Sequence, residues 1–147
     1  MPATRLLLPL IVGLIVVGRP ATSQEWTRFR GPGGTGISPT AGLPERVTPE
    51  NTRWKASLPG KGHSSPVVWG SKLFLTSAED SAGRQHLICL NLKDGKTLWD
   101  HVTTFQSYHT HEFNTSASST PAVDANRVYT LWVTPNQFQV HCVDHNG

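Results

Sequence analysis

The sequence predicts an all-β chain built from a repeated unit of four short antiparallel strands, and three observations carry that prediction. Residues 63–75 align without a gap on residues 118–130, so that Pro66 falls on Pro121 at an offset of 55. Further on, Leu87-Ile88-Cys89-Leu90-Asn91 aligns with Val140-His141-Cys142-Val143-Asp144 at an offset of 53, after which Asp94-Gly95 meets Asn146-Gly147. Outside the N-terminal apolar run, no segment sustains the i, i+3, i+4, i+7 stripe of an amphipathic helix. Five Trp, thirteen Gly and eleven Pro with few charges suit a turn-rich β domain.

The first element is a processing segment. Arg5 supplies a positive start, and residues 6–17 are apolar apart from Pro9 and Gly13. Gly18-Arg19-Pro20 breaks the run, and Ala21-Thr22-Ser23 offers small residues where a signal peptidase reads. Twelve residues are too few for a bilayer, which takes roughly 20. A signal peptide over residues 1–23, cleaved before Gln24, is therefore expected, with export to the periplasm or beyond and no membrane span afterwards. Removing Arg5 and Arg19 leaves 11 basic and 10 acidic residues, so the basic balance largely vanishes. With no Lys/Arg cluster among interleaved aromatics, nucleic-acid binding is excluded.

Residues 24–50 read as a lead-in. Gly31-Pro32-Gly33-Gly34-Thr35-Gly36 matches the spacing of a dinucleotide-binding turn, but that turn needs a strand before it and a helix after it. Pro39 and Pro44 follow instead, and a structural loop is expected.

The repeats occupy residues 51–147. Strands are expected over residues 65–68, 72–77, 86–92 and 97–102, with Gly70-Ser71 and Asp94-Gly95 as turns. Trp54-Lys55 and Trp99-Asp100 match at a spacing of 45, which makes Trp54 an orphan counterpart of the fourth strand. Four strands in roughly 40–50 residues is the size of a propeller blade. The expected architecture is a partial β-propeller with an orphan strand, one full blade and one blade lacking its last strand, the front end of a longer protein.

The motifs Ser64-Ser65-Pro66-Val67-Val68, Leu73-Phe74-Leu75 and Leu87-Ile88-Cys89-Leu90-Asn91, continued by Asp94-Gly95-Lys96-Thr97-Leu98-Trp99, resemble the PQQ-like (quinoprotein-type) β-propeller repeat. That family includes quinoprotein alcohol and glucose dehydrogenases and the outer-membrane-protein assembly propeller. The stretch from Trp26 to Gly36 is similar to the lead-in of exported bacterial members. The resemblance bears on fold more than on activity; with no catalytic or cofactor site assignable in these residues, the expected function is an exported, non-catalytic binding or scaffolding module with an unknown protein or cell-envelope partner. The alternatives it leaves are a PQQ-dependent dehydrogenase, which would need PQQ and Ca²⁺, and the assembly propeller, which would call for a lipoprotein Cys after the apolar run. No catalytic or cofactor-binding residue is assigned. Glu79 and Asp80 are expected in the loop after the second strand, away from the innermost strand, which offers hydroxyls and no carboxylate for a hard cation.

Three clusters invite chemistry. His109, His111 and Glu112 are the candidate metal ligands, since residues i and i+2 of an extended strand point the same way. The competing reading is a polar loop joining two blades. His63-Ser64-Ser65 lacks the strand-to-helix elbow of a serine nucleophile and is followed by Pro66. Cys89 and Cys142, at matching repeat positions on sheets about 10 Å apart, are expected as two buried, unpaired thiols. Asn114-Thr115-Ser116 forms a glycosylation sequon, relevant only to a eukaryotic secretory route.

Overall fold

A computed structural model describes residues 25–147; the expected signal peptide and its cleavage point before Gln24 lie outside them. Seven strands form two antiparallel sheets, and the only helical elements among the described residues are three short 3-10 turns. Sheet 1 runs in the order β1 (Val67–Trp69), β2 (Lys72–Glu79), β3 (Arg84–Asn91) and β4 (Thr97–Thr104). Sheet 2 runs β5 (Ala122–Val123), β6 (Arg127–Thr134) and β7 (Gln137–Asp144). No helix among the described residues is long and apolar enough to cross a membrane.

The repeat survives in the elements themselves. β2 and β6 begin and end at an offset of 55, and β3 and β7 at an offset of 53. The strands are longer than expected at several ends. β2 continues to Glu79 and β3 begins at Arg84, because Asp80–Ala82 with Gly83 closes a tight turn between them. The first strand starts at Val67 rather than residue 65. Pro66 has no N–H to give a ladder, and the Ser65 N–H is already donated to Thr120 Oγ1 at 3.0 Å. Asp94-Gly95 turns as expected, with the Lys96 N–H donated to Asp94 Oδ1 at 3.1 Å.

Strand alternation divides each sheet into two faces. Phe74, Thr76 and Ala78 on β2 and Gln85, Leu87 and Cys89 on β3 share one buried face of sheet 1. Val128, Thr130 and Trp132 share the buried face of sheet 2. These faces pack together. Val67, Phe74, Leu87 and Cys89 join Val123 and Val128 in one core cluster, flanked by Trp69, Trp99 and Val143. Each fully buried side chain of this size is worth about 1.5–3 kcal/mol of transfer free energy. Polar ties cross the same seam: Gln85 Nε2 donates to Ser116 O, and Thr76 Oγ1 to Ser119 O, both at 3.0 Å.

Two tryptophans repeat one contact. The Trp99 indole N–H donates to His145 O at 3.0 Å, and its ring stacks on Gly147. The Trp54 indole N–H donates to Leu92 O at 2.9 Å, and its ring stacks on Gly95. Leu92 and Gly95 are the repeat counterparts of His145 and Gly147. Trp54 thus stands to sheet 1 as Trp99 stands to sheet 2. The expected orphan strand itself is not in a ladder: residues 52–58 pair with no strand among the described residues.

The expectation of two buried thiols is corrected at one of them. Cys89 is buried and Cys142 is exposed, and neither forms a disulfide. The reason is topological. Sheet 1 covers one side of sheet 2, whereas no sheet lies over the side carrying Cys142 among the described residues.

Candidate functional site

The connection from β4 to β5, residues 105–121, carries the expected metal ligands. It is a loop rather than an extended strand, so the alternation argued for His109 and His111 does not apply. His109, His111 and Glu112 stay near the surface. The His111 ring packs on Phe113 at 5.3 Å, and its Nδ1 accepts the Phe113 N–H at 3.3 Å. Among the described residues no three His, Cys, Asp or Glu side chains gather as a metal site. The three candidates are therefore placed on one loop but not brought together.

The same loop turns inward at Asn114 and is held by local hydrogen bonds. Asn114 Oδ1 accepts the Thr115 N–H at 2.9 Å and the Ser118 hydroxyl, and Thr115 Oγ1 accepts the Ala117 N–H at 3.3 Å. Thr115, Ser116 and Ala117 are buried against the sheets. The sequon therefore lies in a knot of local side-chain-to-backbone bonds, the habit of Asn and Thr in turns.

Two open clefts flank this loop, the first polar and the second of mixed lining. One, about 460 Å³, lies between residues 104–108 and the β6–β7 turn, and includes Gln106, Asn136 and Gln139. The other, about 480 Å³, is bounded by Tyr108, His109, Ser118 and Leu131. Tyr108 sits between them, its hydroxyl donating to Val133 O at 2.7 Å. Amides, hydroxyls and one imidazole there can donate and accept hydrogen bonds, and no nucleophile–base pair is aligned at either wall among the described residues.

A cluster missed from the sequence lies on the other face of sheet 1. His86 is buried, and its Nδ1 lies 2.9 Å from Asp100 Oδ2 while its Nε2 lies 3.1 Å from Glu79 Oε2. Arg84 Nε donates to the same Glu79 oxygen at 2.7 Å. The Arg84 guanidinium, and after it His86, hold the Glu79 carboxyl below its ordinary value; Glu79 in turn raises Arg84. The cluster ties β2, β3 and β4 edge to edge. Its sequence signal was a lone His inside an apolar strand with a carboxylate just past the expected end of the strand before it. Placing Glu79 in a loop hid it, whereas Glu79 is the last residue of β2 and only Asp80 leaves the strand.

The other sequence candidates are spent on structure. Ser64 Oγ donates to Thr76 O and accepts the Thr76 N–H, both at 3.0 Å. The glycine-rich stretch folds as a 3-10 turn over Pro32–Gly34, with no helix after it for a phosphate to meet. At Gly31 a Cβ would overlap the Trp26 ring. Trp26 exchanges both backbone hydrogen bonds with Val68, at 3.1 and 2.8 Å, and Thr27 O accepts the Val123 N–H at 2.9 Å. The lead-in therefore crosses the first strands of both sheets. Burial raises the Cys89 thiol to about 11, which leaves it inert.

Comparison with protein-family models, curated proteins and solved structures finds no match to this chain.

Proposed function

We propose that the chain is an exported β-propeller module of PQQ-like repeats that binds a protein or cell-envelope partner and carries out no chemistry of its own. The observation that supports this reading is the repeated tryptophan contact. Trp54 on Leu92 and Gly95, and Trp99 on His145 and Gly147, are one contact used twice, between the two sheets at Trp99 and between residues 52–58 and sheet 1 at Trp54. A joint that recurs at the repeat spacing is what stacked units need when each buries its face only against a neighbour. The binding role rests on the open clefts beside Tyr108, the first of them lined by the amides of Gln106, Asn136, Gln137 and Gln139. Function has to be argued from such a site rather than from the fold.

The test places a photo-crosslinking residue at Gln137, which is exposed at the cleft edge, in cells producing the full chain. The expected result is one discrete cross-linked product in the cell-envelope fraction, lost when Gln106 and Gln139 are both changed to Ala, with the released chain beginning at Gln24. Saturable binding of PQQ with Ca²⁺, accompanied by dye-linked alcohol oxidation by the purified protein, would replace this reading with a quinoprotein dehydrogenase.

A further inference from the structure

Four side-chain amides converge on the first cleft. Gln106 comes from the β4–β5 connection, and Asn136, Gln137 and Gln139 come from the β6–β7 turn and the start of β7. Phe105 and Tyr108 line the wall on the side of Gln106, and the rest of the lining is Ser, Thr and Pro. The cleft, about 460 Å³, therefore has no charged side chain in its walls. It belongs to the seam between the sheets. Gln137 and Gln139 lie opposite Thr134 and Trp132 in the ladder and share their face. Trp132 is buried on that face with Ala78 and Ala117. The cleft is thus on the side of sheet 2 that sheet 1 covers.

Both walls are held in place by bonds within the chain. Gln139 Nε2 donates to Gln137 Oε1 at 2.6 Å, and Gln139 Oε1 lies 3.3 Å from His141 Nε2. This row uses both carbonyl oxygens and one N–H, and leaves the remaining N–H groups of Gln137 and Gln139 as donors. On the other wall the Phe105 N–H is donated to Gly83 O at 2.9 Å, and the Tyr108 hydroxyl to Val133 O at 2.7 Å. The two rings are half-buried and meet nearly edge to face, with centroids 6.0 Å apart. The lining chemistry selects a ligand class. An uncharged wall gives no counter-charge to a phosphate, a carboxylate or an ammonium group, each costly to strip of water. A neutral peptide would be read through its backbone at a strand edge or through apolar pockets for its side chains, whereas the groups presented here are side-chain amides and hydroxyls. A sugar matches both walls. Its hydroxyls donate and accept, as side-chain amides do, and the C–H face of a pyranose packs on the negative face of an aromatic ring.

We infer that this cleft binds a neutral oligosaccharide, with the four amides on sugar hydroxyls and the Phe105–Tyr108 pair against a pyranose face. Its volume falls within the range of about 300–1,000 Å³ usual for small-molecule sites, which suits a short stretch of a glycan. The inference rests on the binding role proposed above, and it names the chemistry of the partner: a glycan of the cell envelope and not a protein.

The test titrates the full chain with maltotetraose, cellotetraose and tetra-N-acetylchitotetraose, and with tetraglycine as the neutral peptide, by calorimetry and saturation-transfer NMR. At least one oligosaccharide should bind saturably, with an affinity that added salt leaves unchanged because no ion pair forms. Tetraglycine should not bind. Gln106→Ala and Gln139→Ala, neither at a buried position, should each weaken binding about threefold to tenfold, the loss of one or two hydrogen bonds. Lys93→Ala, at the Asp94-Gly95 turn and outside the cleft, should leave it unchanged. The oligosaccharide that binds should also suppress the cross-link at Gln137. Binding that both glutamine variants leave untouched overturns the inference, since the sugar then sits elsewhere. Binding of tetraglycine that is lost in those variants overturns it in favour of a peptide. Failure of all three oligosaccharides to bind overturns it as well; a protein cross-linked at Gln137 in that case still supports the binding module, and the lack of any cross-link removes both readings.

Discussion

The two cysteines show how a repeat fixes identity before it fixes environment. Cys89 and Cys142 occupy equivalent strand positions, and that equivalence was readable from Leu87–Asn91 against Val140–Asp144. Their burial was not, because a sequence match says which face a residue is on and not what lies over that face. The consequence is a chemical difference. Cys89 is fully buried with its thiol raised to about 11, and Cys142 is exposed. In dilute native protein at pH 8, iodoacetamide should modify one thiol, at Cys142, and peptide mapping should find Cys89 modified only after unfolding. Equal labelling of both in the native state would mean that Phe74 and Val128 do not close over Cys89. A second residue-scale expectation concerns acid. Glu79 and Asp124 both have folded values below their ordinary ones, Glu79 through Arg84 and Asp124 first through the Asn126 N–H. A depressed carboxyl contributes stability that is present above its unfolded value, about 4, and lost as pH falls through the folded value. The thermal midpoint should therefore drop as pH is lowered from 5 toward 3, and Glu79→Gln should flatten part of that drop. A midpoint that rises over the same range would contradict the sign.

At the scale of elements, the strands were legible because alternation and turn residues agree. Asp94-Gly95, Gly70-Ser71 and the β-branched runs place all four strands of sheet 1 within a few residues of their observed ends. The misses have local causes: Pro66 delays β1, and Gly83 in the left-handed region lets β2 and β3 run on to a tight turn. Residues 105–121 form the polar loop read from the sequence and not the extended strand a shared metal would need: Asn114, Thr115 and Ser118 satisfy the backbone locally, and no ladder partner fixes an alternation there. Gly95 tests the tryptophan joint directly. Its φ is +71°, and a side chain there would meet the Trp54 ring. Gly95→Val should cost about 1–3 kcal/mol through backbone strain and loss of the stacking surface. Denaturant titration reads the cost, and the Trp54→Ala background should shrink it by removing the overlap. An equal cost in both backgrounds would assign the whole effect to the turn.

The described residues form two sheets sharing one core, which decides how they should unfold. Neither sheet can be removed without exposing the other: Val67, Phe74, Leu87 and Cys89 from one side close against Val123 and Val128 from the other. Ala78 meets Ala117 and Trp132 in a second cluster farther along the same seam. The lead-in adds a third tie, since Trp26 and Thr27 bond to Val68 in one sheet and Val123 in the other. With most of the apolar burial at the seam, the free energy of folding belongs to the pair and not to either sheet. Two sheets that share one core are expected to unfold in a single transition. Guanidinium unfolding should give coincident midpoints for Cys89 accessibility, which reports sheet 1, and for fluorescence followed in a variant retaining only Trp132, which reports sheet 2. Val128→Ala, buried at the seam, should lower both midpoints together, with a cost of about 1–3 kcal/mol set by the cavity it leaves. Separate midpoints, or a Val128→Ala effect confined to the Trp132 signal, would show that the sheets fold independently and that the seam is weaker than its contacts imply.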